Sequence, residues 1–138
     1  YQLLIPEIIA VKRRESVVRE NGKILALEKL TLKGPEPKSY AYCSNTKMYG
    51  RVIEQVQGVS CLYHESTFLN DQKERAAKTY HTTAEQAGQI AQKAEAEQLV
   101  LGHFSSRYRN LDLFLDEAKP YFENTVLAEE GLKIVIDS

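Results

Sequence analysis

Two short apolar runs, Cys61-Leu62-Tyr63 and Leu99-Val100-Leu101, each lead into a histidine, His64 directly and His103 after one glycine. Their length and residue types are those of buried strands, and a residue just beyond such a strand lies at its carboxyl end, where open α/β sheets build their sites. The surrounding sequence alternates in kind. Residues 39–43 read as a further buried strand, and Met48, Val52, Ile53 and Val56 as a helix face stopping near Gly58. The strand at 60–63 is followed by a short helix that Asn70 or Asp71 can cap, running through Glu74 and Ala77.

A second helix start lies at Thr82-Thr83-Ala84-Glu85-Gln86, where either Thr82 with Glu85 or Thr83 with Gln86 has the spacing of a capping box. Ala84, Ala87, Ile90, Ala91 and Ala94 line one face at helical period and are small enough to pack closely on a sheet. The strand at 98–102, a helix face of Leu111, Phe114, Leu115 and Ala118 ended by Pro120, and a closing pair of strands at 125–128 and 132–136 complete the order. Strand, helix, strand, two helices, strand, helix, strand, strand is the pattern of an α/β layered sheet.

The first 38 residues read differently, as an entry segment. The chain opens on Tyr1-Gln2-Leu3-Leu4-Ile5-Pro6, without an initiator methionine and in mid-pattern, as an internal piece of something longer would. Leu4, Ile5, Ile8, Ile9 and Val11 form an apolar cluster, and Lys12-Arg13-Arg14 a short basic run that reads as a solvated face or a contact to RNA backbone. Asn21-Gly22 between Val17-Val18 and Ile24-Leu25 predicts a hairpin with a type I′ turn. Gly34-Pro35-Glu36-Pro37 predicts a connecting loop.

A chain of 138 residues holds one core and not two comfortable ones. A formal charge of −1 gives it no global electrostatic hold on nucleic acid, so a nucleic-acid function needs a local site. Both cysteines, Cys43 and Cys61, sit in apolar runs and read as free thiols, with cytoplasm the default compartment. No apolar run reaches the length of a membrane span.

The three histidines carry the chemistry: His64 opens His64-Glu65-Ser66-Thr67-Phe68, His81 opens His81-Thr82-Thr83, and His103 opens His103-Phe104-Ser105-Ser106-Arg107-Tyr108. No HxH or HExxH pair is present to mark a zinc site by spacing alone. His81 stands at a helix amino terminus, where free N–H groups and the helix dipole favour an anion such as phosphate.

Taken with Tyr40-Ala41-Tyr42-Cys43-Ser44-Asn45-Thr46, these segments resemble, in order and gaps, the carboxyl-terminal half of ribonuclease Z, the tRNA 3′-processing endonuclease family of the metallo-β-lactamase superfamily. The resemblance implies half of a four-layer αββα sandwich. It implies a site for two zinc ions in the complete family, to which this half would supply His103 as the last metal-binding histidine and position 45 as the bridging carboxylate. His81 matches a histidine that meets the scissile phosphate or protonates the leaving oxygen, and Glu65 an orienting carboxylate for it. Arg107 and His64 are further candidates for substrate phosphate, Arg107 having a structural salt bridge as its alternative.

Two departures stand against that pattern. Position 45 is Asn, a neutral amide with one acceptor oxygen where an aspartate would offer two and a charge. Nothing in the chain matches the family's His-x-His-x-Asp-His ligand string. The expectation is therefore a partial chain that binds little or no metal and does not cleave precursor tRNA by itself, and that self-associates as a homodimer through the sheet face left uncovered. The alternatives are a metal-free interaction or regulatory domain on the same fold, or a hydrolase of other phosphodiesters.

Overall fold

The structure, a computed structural model, describes residues 2–136 and divides into two compact units, residues 1–36 and 37–138. Tyr1, on which the mid-pattern opening begins, lies outside the described residues.

In the first unit, helix α1 (Ile5–Lys12) carries Pro6 in its first turn, where the missing N–H costs no helical hydrogen bond. The Glu7 carboxylate reaches back to the Leu4 N–H at 2.8 Å and takes Arg19 Nε at 2.9 Å. The hydrogen bond from Arg19 is the main cause that holds the Glu7 carboxyl below its usual range. None of the α1 side chains is buried, and Lys12, Arg13 and Arg14 are all exposed. Strands β1 (Val17–Val18) and β2 (Ile24–Leu25) form the expected antiparallel hairpin, with Val17 and Leu25 paired and buried. The turn is not type I′, which needs positive φ at both central residues: only Gly22 is left-handed, at φ 75°. Gly22 N–H closes on Arg19 C=O and Arg19 N–H on Lys23 C=O, a longer loop that spares Asn21 the strained conformation. Helix α2 (Leu27–Leu30) ends the unit.

The second unit is built on four parallel strands in chain order, β3 (Tyr40–Cys43), β4 (Cys61–Glu65), β5 (Leu99–Gly102) and β6 (Thr125–Leu127). Helix α3 (Gly50–Gln55) connects β3 to β4. A 3₁₀ turn (Asn70–Gln72), α4 (Lys73–Lys78) and α5 (Ala84–Lys93) lie between β4 and β5, and α6 (Asp112–Ala118) between β5 and β6. Because all four strands run the same way, the ends of β3, β4 and β5 open on one edge.

Leu62, Leu99 and Leu101 pack with α3, α5 and α6 into one core, together with Ala84, Ala87, Ile90 and Phe114. The alanine-rich face of α5 allows this close layer. Gly88 allows α6 closer still, for a β-carbon there would stand 2.7 Å from the Ala118 carbonyl oxygen. Of the two capping boxes in the sequence, α5 uses Thr83 with Gln86: Thr83 Oγ1 accepts from the Gln86 N–H, and the Gln86 side chain accepts from the Thr83 N–H.

Three expectations are revised. Residues 39–43 are not a buried strand: β3 is an edge, and alternation leaves Tyr40 and Tyr42 exposed. Strand β4 runs two residues past Tyr63, which places His64 and Glu65 inside the strand rather than beyond it. The segment 132–136 forms no strand, because the chain turns at Glu129–Leu132 and leaves β6 without an antiparallel partner among the described residues. Cys43 and Cys61 are both free, and burial pushes both thiols above their ordinary range. No helix among the described residues is long and apolar enough to cross a membrane.

Candidate active site

At the edge where β3, β4 and β5 end, Glu65, His81 and His103 bring ligand-type atoms within 4.8 Å of one another. Each arrives by a different route. Glu65 is the last residue of β4, His81 lies just before α5, and His103 follows β5. The backbone at this rim is unusual. Asn45, Tyr80 and His103 adopt left-handed φ values of 49°, 58° and 59°. Asn and His are enriched in that region among residues other than glycine, whereas the bulky Tyr80 is an outlier and stores about 1–3 kcal/mol of strain there, a cost that clusters at functional sites.

Glu65 is wholly buried and is the centre of the arrangement. Its Oε1 receives the Thr46 N–H at 3.1 Å and lies 2.7 Å from His81 Nδ1. Its Oε2 receives the Thr67 N–H at 3.0 Å, the Thr67 hydroxyl at 2.7 Å and the Thr82 N–H at 3.2 Å. Convergent donors around both oxygens are what an ionised carboxylate accepts. Through these bonds Glu65 ties together the exit of β3, the strand-end segment and the approach to α5.

Thr67 is the second hub. Its Oγ1 lies 2.9 Å from His103 Nδ1 and 3.1 Å from His81 Nδ1, and the two rings sit with centroids 5.4 Å apart. Thr67 did not emerge as a site residue from the sequence. The available signal was its place as the last member of the His-Glu-x-Thr segment, in which the histidine and the carboxylate had drawn the assignments.

The other candidates are placed as follows. Asn45 is exposed on the same rim, and the N–H of its neighbour Thr46 is bound to Glu65. Arg107 is exposed, with its guanidinium 5.6 Å over the Phe68 ring, and makes no ion pair among the described residues. His64 is not brought to the rim. It is fully buried, its Nδ1 lies 2.7 Å from the Glu65 carbonyl oxygen, and its Nε2 has no partner among the described residues. Desolvation pushes its pKa down. A side chain sealed in this way has no access to a substrate phosphate.

The donor set fits a metal only in part. Glu65 has both oxygens engaged, and the Nδ1 atoms of both histidines face Thr67, so the converging atoms are already consumed in hydrogen bonds. His103 keeps Nε2 available: the ring is exposed and that nitrogen makes no hydrogen bond among the described residues. A histidine whose other nitrogen is held by a hydrogen bond is the usual form of a metal-binding imidazole. By that criterion His81, whose Nδ1 meets Glu65, also keeps an Nε2 without a hydrogen-bond partner among the described residues, so the chain offers two imidazole nitrogens and the neutral Asn45 amide, short of the four-coordinate set a zinc ion takes.

No family model matches the chain. Curated relatives do. Ribonuclease Z from Phocaeicola vulgatus is 44% identical over 138 residues, covering all of this chain and 45% of the relative. Ribonuclease Z from Cytophaga hutchinsonii is 48% identical over 130 residues, covering 94% of this chain and 42% of the relative. The chain therefore spans less than half the length of the curated relatives it matches. Among solved structures, the metallo-β-lactamase fold protein YhfI from Bacillus subtilis superposes with a TM-score of 0.61 at 27% identity, covering 66% of this chain and 37% of that one. The short form of human tRNase Z superposes with a TM-score of 0.50 at 28% identity, over 62% of this chain and 28% of that one. The chain is thus similar along its whole length to less than half of ribonuclease Z, and its fold is that of part of the metallo-β-lactamase proteins.

Proposed function

We propose that this chain supplies half of the active site of a zinc-dependent endoribonuclease that removes the 3′ trailer from precursor tRNA in the cytoplasm, leaving a 3′-hydroxyl on the tRNA. The observation that carries the reading is the union of His81 and His103 with Glu65 through one threonine hydroxyl, at the strand ends where a phosphodiester can approach. His103 would hold a metal through Nε2, with position 45 beside it. Zinc bound there supplies Lewis-acid stabilisation of the charge that develops on the phosphoryl oxygens.

The chain's own residues do the rest. Glu65 fixes the His81 ring by its contact to Nδ1–H, which leaves Nε2 as the nitrogen that takes up a proton and passes it to the leaving 3′-oxygen. Arg107, without a carboxylate partner among the described residues, offers a planar fork to a phosphate of the RNA. The missing ligands belong to the remaining length of the enzyme, so the chain alone has neither a complete metal site nor the activity. In isolation it is expected to self-associate through the sheet face that carries the exposed Tyr40 and Tyr42; a monomeric mass by light scattering at micromolar concentration would count against that.

The test is to fuse the chain to the amino-terminal half of the Phocaeicola vulgatus relative, with Asn45 and with Asn45→Asp. Both forms are assayed on precursor tRNA and on a generic phosphodiester. Asn45→Asp should cleave precursor tRNA in preference to the small ester and lose that activity with His81→Ala. An Asn45→Asp fusion that takes up zinc yet leaves precursor tRNA intact would overturn the reading. A second reading, a metal-free interaction domain, is favoured by the neutral Asn45. Zinc well below one equivalent in both fusions would support it.

A further inference from the structure

The Thr67 hydroxyl has one proton to give and two lone pairs to fill, and its surroundings decide how each is used. Glu65 Oε2, at 2.7 Å, is an acceptor only and takes the Thr67 proton. The Thr67 oxygen is then left as an acceptor, and the two atoms remaining against it are His103 Nδ1 at 2.9 Å and His81 Nδ1 at 3.1 Å. Both nitrogens must therefore carry hydrogen. For His81 that conclusion is reached twice, because Nδ1 also lies 2.7 Å from Glu65 Oε1. For His103, Thr67 is the sole side-chain partner at Nδ1 among the described residues.

We infer that Thr67 is a positioning residue that locks His103 in its Nδ1–H form, presenting a bare Nε2 lone pair outward, and couples that ring to the Glu65–His81 pair through a single hydroxyl. This rests on the reading of His103 as a ligand and His81 as a proton carrier, and it assigns a tautomer to each. The geometry gives the two rings unequal dependence on Thr67. Free histidine in water favours the Nε2–H form, so without the hydroxyl His103 loses the one side-chain contact among the described residues that opposes that preference. His81 keeps Glu65.

Imidazole ¹⁵N spectra of the 138-residue chain, treated with chelator and held well above the ordinary histidine pKa of about 6.5, read these tautomers without RNA, metal or turnover. In the native chain Nδ1 of both His81 and His103 should show the pyrrole-like shift of a protonated nitrogen. Thr67→Ser, which keeps the hydroxyl, should preserve both. Thr67→Val should move His103 Nδ1 to the pyridine-like shift while His81 stays. A native His103 already in the Nε2–H form, or a folded Thr67→Val chain with His103 unmoved, would overturn the inference. If Thr67→Val does not fold, the native and Thr67→Ser spectra still decide it. The nuclease reading would survive that failure, since it depends on cleavage by the fused enzyme and not on which nitrogen is protonated here.

Discussion

Tyr63 lies across the backbone of Gly102 so closely that a β-carbon at that glycine would overlap the phenol ring. The ring is held there by stacking on Tyr42, with centroids 4.6 Å apart. Gly102 is therefore required by close approach rather than by its own backbone conformation, and it immediately precedes a left-handed His103.

Gly102→Ala should accordingly do two things. Overpacking beneath a half-buried tyrosine should cost about 1–3 kcal/mol, read as a lowered urea midpoint. It should also displace the His103 imidazole resonances, because a backbone shift at residue 102 is passed directly to the left-handed His103 that follows it. Tyr63→Leu in the same background makes room for the new methyl group and should recover part of the stability. An alanine variant with native stability would show that the ring is not confined as the structure places it.

Glu65→Gln argues a different point. The amide keeps the size of the side chain, but one oxygen becomes an NH₂ group facing backbone N–H donors from Thr46 or from Thr67 and Thr82. Hydrogen bonds to a buried charged group are worth about 1.5–3 kcal/mol each, and a mismatched donor pair adds its own desolvation cost. The substitution should destabilise the chain by roughly 3 kcal/mol or more in denaturant unfolding. His81→Phe, which removes a single outer partner, should cost less. Equal losses for the two variants would mean that Glu65 serves only its histidine and does not organise the rim.

Much of this fold was legible because its periodicities are strong. The alanine face of α5, the Thr83 cap and the apolar runs of β4 and β5 each satisfy local and tertiary demands at once, so a reading of the residues alone finds them. β3 misled because Tyr-Ala-Tyr-Cys is as apolar as an interior strand; whether such a run is edge or centre depends on its neighbours in the sheet. Residues 132–136 misled for the reverse reason, since Leu-Lys-Ile-Val-Ile has the composition of a strand but finds no ladder. At the site, the histidines and Glu65 stand out by residue type. Thr67 does not, because its importance lies in three contacts to residues up to 36 positions away, which spacing cannot reveal. His64 shows the opposite failing: its residue type suggested chemistry, and the structure gives it burial.

That burial has a consequence for pH. Desolvation lowers the His64 pKa in the folded chain, and only weaker opposing contributions come from the Glu65 carbonyl and the Glu65 charge. In the unfolded chain the same imidazole takes its proton near its ordinary value of about 6.5. Below that pH the unfolded state holds more protons than the folded one, so stability falls as the solution is acidified, by up to about 1.4 kcal/mol per pH unit until the folded pKa is reached. Above about 6.5 the ring is neutral in both states and contributes no slope. Urea midpoints measured from pH 8 down to pH 5 should therefore drop more steeply for the native chain than for His64→Leu, which cannot titrate. The leucine variant forfeits the 2.7 Å contact to the Glu65 carbonyl but also removes the unpartnered Nε2, so its stability at pH 8 should lie close to that of the native chain. Parallel acid limbs in the two proteins would mean that His64 is reached by water in the folded state, contrary to its complete burial.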